Sequence, residues 1–188
     1  MDKKERRQFA IQKLKELARH EKLKNKKEKQ ILALFFASKQ WKEAQSVAVV
    51  KAVDFEFDTS KVMRQAFLEG KKVLVPKSLP ERRLAFYEVD TQTEYTTTKF
   101  GVEEPLSNLF LPKDEIDLIV VPGLLFSSRG FRIGFGGGFY DRYLADYQGK
   151  TCSLVFSEQL YDDWEVEEFD IPVQKIYTDS YKGGAVNE

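Results

Sequence analysis

Ile116-Asp-Leu-Ile-Val-Val-Pro-Gly123 runs on, after five further residues, into Arg129-Gly-Phe-Arg-Ile-Gly-Phe-Gly-Gly-Gly-Phe-Tyr-Asp-Arg142. The first segment is the most continuous apolar run in the chain and predicts a buried strand. Tyr140-Asp-Arg-Tyr-Leu-Ala-Asp-Tyr147 predicts a helix. The order is therefore strand, loop, glycine-rich turn, helix. Four of the eleven glycines fall at Gly134, Gly136, Gly137 and Gly138. Glycine tolerates positive φ and carries no side chain, so such a run lets backbone N–H groups close around a bulky anion. A helix start that follows adds a positive dipole end, and Arg132 and Arg142 can add charge-assisted bonds to a phosphate. The alternative is a tight turn with no ligand. The run has no Lys-Ser/Thr of a P-loop, and Phe139 stands at the third glycine of G-x-G-x-x-G.

Outward from that stretch, the remaining elements read as an α/β chain. Residues 3–20 predict an amphipathic helix with Phe9, Ala10, Leu14, Leu17 and Ala18 as its apolar stripe. Its first turns carry Lys3, Lys4, Arg6 and Arg7, cations that oppose the helix dipole and hint at an external anion. A second helix is expected from Asn25 as N-cap, with Glu28 three residues on in a capping box. Ser46–Val50 and Lys72–Pro76 predict strands around a helix that starts at Thr59-Ser60 and closes at Gly70. That β-α-β order implies parallel pairing through a right-handed crossover. Glu56 lies just past the end of the first of these strands, where open α/β sheets place ligands, and is equally readable as a solvated loop acid. Leu84–Val89 and Thr91–Thr98 suggest an antiparallel hairpin or edge strands, and Gly101–Pro105 a loop. Thr151–Phe156 and Lys175–Tyr177 are the last expected strands, and residues 183–188 a disordered tail. With no linker or repeat, residues 1–182 are expected to form one domain.

Composition removes several classes of function. Lys+Arg and Asp+Glu balance at 30 each, which gives no charge argument for nucleic acid or membrane partners. No apolar run approaches the ~20 residues of a membrane span. The charged N-terminus has no secretory h-region, so the expectation is a cytoplasmic protein. Cys152 is the single cysteine and His20 the single histidine. Zinc ligation and Ser-His or Cys-His nucleophiles are thereby disfavoured, and chemistry is left to carboxylates, Lys, Arg, Tyr, backbone amides and a hard cation.

Several segments together resemble the 5-formyltetrahydrofolate cyclo-ligase family over nearly the whole chain. They are Lys3-x-x-x-Arg7, Glu56-Phe-Asp-Thr59, Gly101-x-x-Glu-Pro105, Val121-Pro-Gly-x-x-Phe126 and Gly130-x-Arg-x-Gly-x-Gly-x-Gly-x-Tyr-Asp-Arg142. The resemblance implies a single-domain α/β three-layer sandwich with a mainly parallel sheet, similar to the sugar-phosphate isomerase and CoA-transferase-like fold. It implies ATP as co-substrate, Mg²⁺ and a reduced folate as substrate; a monomer or weak homo-oligomer is a separate expectation. The family's nucleotide site falls on Lys3, Arg7, Arg132, Ile133, Gly134, Phe135, Gly136, Gly137, Gly138, Phe139 and Tyr140. Its folate site falls on Lys51, Glu56 and the run Phe135 to Phe139. Arg132, Phe139 and Asp141 take catalytic places, and Asp141 and Gln174 the metal-linked ones. Departures are Ser127 for a common Asp, Arg6 for Leu, Phe139 for Tyr, Lys51 for an apolar residue and Gln174 for Asp. A sugar-phosphate isomerase or CoA-transferase-like enzyme, and a non-catalytic nucleotide-binding module, are the competing expectations.

Overall fold

The structure, a computed structural model, describes residues 1–179; the expected tail and the last three residues of the expected domain lie outside the described residues. Helix α1 (Lys3–Arg19) buries Ala10, Leu14 and Leu17, as its periodicity predicts. Asp2 caps it, accepting from the Glu5 amide at 2.8 Å, while the Glu5 carboxylate accepts from the Asp2 amide at 3.3 Å. These two acids offset the cations crowded at the helix start.

Helix α2 (Glu21–Phe36) follows after His20 alone. Asn25 is not its N-cap: it lies in the second turn, exposed, and Glu28 is a buried interior residue instead of a capping partner. The chain breaks at His20, where ψ reaches 70°, and packing of Ile31, Leu32 and Phe35 overrides the local capping preference. Helix α3 (Lys39–Glu43) buries Trp41.

Strands β1 (Ser46–Ala48) and β2 (Lys72–Leu79) pair in parallel around helix α4 (Ser60–Leu68), the expected crossover. Strand β3 (Arg83–Val89) then forms its hairpin with β2, not with the residues that follow it. The turn between them puts Glu81 at φ 65° and Arg82 at φ 58° without a glycine or asparagine, so its usual signal is missing. Strand β4 (Tyr95–Thr97) pairs with β5 (Glu103–Pro105), which makes part of the expected loop a strand in a separate two-stranded ribbon. Strand β6 (Phe110–Leu111) edges the sheet against β3.

Strand β7 (Leu118–Val120) lies inside the sheet, between β10 and β1. A short hairpin of β8 (Leu125–Phe126) and β9 (Arg132–Ile133) leads through the glycine turn to helix α5 (Phe139–Leu144). Strands β10 (Lys150–Val155) and β11 (Lys175–Thr178) complete the sheet.

Among the described residues the sheet order is β11-β10-β7-β1-β2-β3-β6, the first five strands parallel and the last two pairings, β2–β3 and β3–β6, antiparallel. Alternate residues feed two cores. Val47, Val73, Val75, Leu118 and Val120 face α1, α2 and α4, whereas Ala48, Leu74, Ile119 and Val121 face α5. This is the expected three-layer arrangement, each face of the parallel sheet covered by helices. The chain goes from β1 to β2 on one side and later to β7 on the other. The crevice beyond the carboxyl ends of β1 and β7 is therefore a topological switch point, where open α/β sheets take ligands. No helix among the described residues is long and apolar enough to cross a membrane.

Candidate active site

Two loops leave the sheet at that switch point. The segment after β1 carries Lys51 and Glu56; the segment after β7 carries the glycine turn. Glu56 is partly buried, its Oε1 accepting from the Val53 amide at 2.9 Å. Burial pushes its carboxyl above the ordinary carboxylate value, with the Val53 hydrogen bond and the Lys24 charge pulling the other way. Its second oxygen accepts no hydrogen bond among the described residues. A cavity of about 40 Å³ joins the two loops, lined by Val50, Glu56, Gly123 and Gln159 among others. Lys51 turns to the ribbon instead: its Nζ lies 3.8 Å from the Tyr95 ring centre and 3.7 Å from a Glu103 carboxylate oxygen.

The glycine turn is open. Gly136 and Gly138 stand at φ 101° and 70°, and the amides of Gly136, Gly137 and Gly138 donate to no group among the described residues. Arg7 reaches them from α1, its Nε donating to the Gly134 carbonyl at 2.9 Å. Beneath the turn, Arg132 Nε and Nη2 and the Tyr140 hydroxyl are buried without a hydrogen-bond partner among the described residues. The Arg132 guanidinium lies 5.5 Å from the Tyr140 ring centre, and its Nη2 3.5 Å from Asp141 Oδ1 without bonding geometry. Burial lowers the Arg132 pKa and raises that of Tyr140. Buried donors without a hydrogen bond cost free energy, so three together need an explanation, and acceptor oxygens of a ligand supply one. Helix α5 has only six residues, so fixed charge and free amides, more than a macrodipole, are what the turn offers an anion.

The other expected site residues divide. Phe135 is 54% exposed beside the turn and Phe139 half-buried. Ile133 puts its side chain in the core and gives its carbonyl to the Leu124 amide, so it offers a ligand no side chain. Lys3 is held by Glu167 at 2.7 Å, and its neighbour Arg6 by Asp163 at 2.8 Å; the anions met by these cations belong to the chain itself. Asp141 Oδ1 accepts from the Ile171 amide at 3.1 Å. Gln174 does not join it. Gln174 Oε1 accepts from the Thr151 amide at 3.2 Å, at the amino ends of β10 and β11, because the parallel register of those strands puts the two residues side by side. It lines an open groove of about 900 Å³ at that end of the sheet, away from the carboxyl-end crevice. Among the described residues no three His, Cys, Asp or Glu side chains cluster to hold a metal. The donor set fits phosphate oxygens, and Asp141 beside it is a carboxylate of the kind a hard cation takes.

Sequence reading missed Gln159 and Glu28. The buried Gln159 donates to the Gly123 and Leu124 carbonyls at 3.1 Å each and fixes the start of the loop. A glutamine in a polar stretch carries no signal for this.

The model of the 5-formyltetrahydrofolate cyclo-ligase family matches residues 1–179. The 5-formyltetrahydrofolate cyclo-ligase of Escherichia coli strain K12 is 34% identical over 144 residues, 73% of this chain and 79% of that protein. Its counterpart of that name in Haemophilus influenzae is 30% identical over 142 residues, 72% and 76% of the two chains. The NMR structure of Aquifex aeolicus 5,10-methenyltetrahydrofolate synthetase is similar at a TM-score of 0.81 and 25% identity, over 96% of this chain and 91% of that one. A synthetase of the same name from Mycoplasma pneumoniae shares the fold at a TM-score of 0.74 and 21% identity, over 94% and 98% of the two chains.

Proposed function

The chain belongs to the 5-formyltetrahydrofolate cyclo-ligase family, and from that premise we propose that it cyclises 5-formyltetrahydrofolate to 5,10-methenyltetrahydrofolate, consuming ATP with Mg²⁺. The observation that carries the reading is the set of buried, unpaired donors on Arg132 and Tyr140 beneath an open glycine turn. The formyl oxygen is a poor leaving group. It takes the γ-phosphoryl group of ATP, and ADP departs. The other folate nitrogen then attacks the formyl carbon. The carbon–oxygen bond breaks, and the formyl oxygen and that nitrogen's hydrogen leave with the phosphoryl group as inorganic phosphate.

Such chemistry needs positioning and charge neutralisation more than covalent help. The amides of Gly136 to Gly138, with Arg7 and Arg132, receive phosphate oxygens. The Tyr140 hydroxyl donates to an oxygen in the same buried space. Asp141 would hold Mg²⁺, which supplies a Lewis acid on the phosphates when bound. Across the crevice, the free oxygen of Glu56 accepts from the amino-pyrimidinone edge of the pterin, and Phe135 and Phe139 wall the space between the two substrates. With balanced charge and a buried lone cysteine, the reading is of a cytoplasmic monomer or weak homo-oligomer acting on small molecules.

The test mixes protein, ATP, Mg²⁺ and 5-formyltetrahydrofolate and follows the absorbance of methenyltetrahydrofolate together with phosphate release. Both should appear only when all components are present. ATP bound but never turned over with folate would leave a non-catalytic nucleotide module.

A further inference from the structure

Glu28 is 1% exposed, and a buried carboxylate is costly unless it is paired and hydrogen-bonded. Its Oε2 accepts from the Asp58 amide at 2.7 Å. Lys24 Nζ, one turn earlier on α2, lies 3.6 Å away, and Lys61 Nζ on α4 3.9 Å. Asp58 is two residues from Glu56. The loop is closed on itself elsewhere: the Thr59 hydroxyl donates to the Val50 carbonyl at 2.7 Å and accepts from the Ala52 amide at 3.3 Å, and Glu56 holds Val53. Among the described residues, no side chain outside the loop and α4 other than Glu28 forms a hydrogen bond with residues 53–58.

We infer that Glu28 is a positioning residue for the folate: from α2 it anchors, through the Asp58 amide, the loop that presents Glu56. The inference rests on the reading of Glu56 as the folate-contacting acid. Glu56 keeps one oxygen on Val53, so where its other oxygen points depends on the loop as a whole. The glycine turn is held separately, by Arg7 on Gly134, and the start of the loop that leads to it by Gln159 on Gly123 and Leu124. Loosening the Glu28 anchor therefore acts on one substrate only.

The experiment measures KM for 5-formyltetrahydrofolate and for ATP with the full chain and its Glu28→Asp, Glu28→Gln, Glu56→Gln and Glu28→Asp/Glu56→Gln variants. Exchange of the Asp58 amide is followed alongside. Glu28→Asp keeps the charge but draws the acceptor back by a methylene. It should raise folate KM about tenfold, the loss of a hydrogen bond to a charged group, and leave ATP KM within about twofold. Glu28→Gln keeps an oxygen at the same reach, so it should retain folate KM within about twofold and protect the Asp58 amide. It should nonetheless melt lower, since Lys24 and Lys61 then lose the Glu28 charge. The double variant should add little to Glu56→Gln, because both act through one contact.

Equal rises in the two KM values for Glu28→Asp, or additive effects in the double variant, overturn the inference. So does a freely exchanging Asp58 amide in the wild-type chain, which decides the matter even if Glu28→Asp does not fold. A folate KM raised by Glu56→Gln but unmoved by Glu28→Asp sinks the anchoring role alone. A folate KM unmoved by Glu56→Gln removes the reading of Glu56 and the anchoring role with it.

Discussion

At Gly136 and Gly138 the backbone sits in conformations that L side chains rarely adopt, at φ 101° and 70°. A Cβ at Gly138 would meet nothing within 4 Å, so a substitution there acts through conformation alone. Asparagine tolerates this region and β-branched residues do not. Gly138→Asn should therefore retain ATP KM within about threefold, and Gly138→Val should raise it tenfold or more, by ~1.4 kcal/mol. Steady-state kinetics on both folded variants decides this, and equal values would remove the turn from the nucleotide site. The Tyr140 hydroxyl makes an opposite test. It is buried and unpaired, so Tyr140→Phe should leave the melting temperature unchanged or raise it while activity falls about tenfold. A variant that melts lower but turns over normally would make the hydroxyl structural. Glu56 adds a pH dependence. Its carboxyl is raised above the ordinary value of 4.5 by burial, and in the proposed reading it is the ionised oxygen that grips the pterin. Folate KM should rise as pH falls through that raised pKa, and Glu56→Gln should flatten the profile. Stability moves the other way. The folded state binds this proton more tightly than the unfolded one, so the group favours folding at low pH and loses that contribution as pH rises from about 4.5 through the folded value.

Among the elements, α1 is the one whose role depends most on what lies opposite it. Lys3 and Arg6 are matched by Glu167 and Asp163 in the acidic stretch before β11, while Arg7, one turn on from Lys3, meets the glycine turn. Arg7→Ala should weaken ATP binding tenfold or more with a small change in melting temperature, since hydrogen bonds to a charged group are worth about 1.5–3 kcal/mol. Lys3→Ala should weaken it less, because Glu167 already occupies the ammonium. Calorimetry at fixed salt compares them, and equal losses would mean that Lys3 leaves Glu167 for the nucleotide. Legibility also differs by element. The crossover β1-α4-β2 was readable because its signals are local: apolar runs, Thr59 and Gly70. The β2–β3 hairpin was not, because Glu81 and Arg82 take positive φ without the residues that announce it. Nor was the β4–β5 ribbon, whose pairing joins residues of low apolar contrast.

For the molecule as a whole, the switch point between β1 and β7 gathers both loops over one sheet. A ligand held by elements from α1 to α5 binds the folded chain alone, so it should stabilise all of it in one transition. At a hundredfold excess over Kd the gain is about 2.7 kcal/mol. For a chain of this length that shifts the melting temperature by roughly 5–10 °C. Scanning calorimetry with ATP and with 5-formyltetrahydrofolate should show this for each. A second, unshifted transition would mean that part of the chain unfolds independently of the site.

From the sequence alone came the α/β class, the parallel crossover, the buried strand over Leu118–Val120 and the glycine turn. Each rests on periodicity or on backbone freedom, which neighbouring residues express without help from afar. The family resemblance named Glu56, Asp141 and Gln174 by position. Only the tertiary structure separated them. It put Glu56 at the crevice, set Asp141 against Ile171 and Arg132, and turned Gln174 into the β10–β11 register through Thr151. It alone left Arg132 and Tyr140 buried with donors unpaired, and it buried Glu28 against an amide thirty residues away. Burial and pairing depend on which distant segments pack together, and a capping box or a charge run looks the same in sequence whether its partner is water or the core.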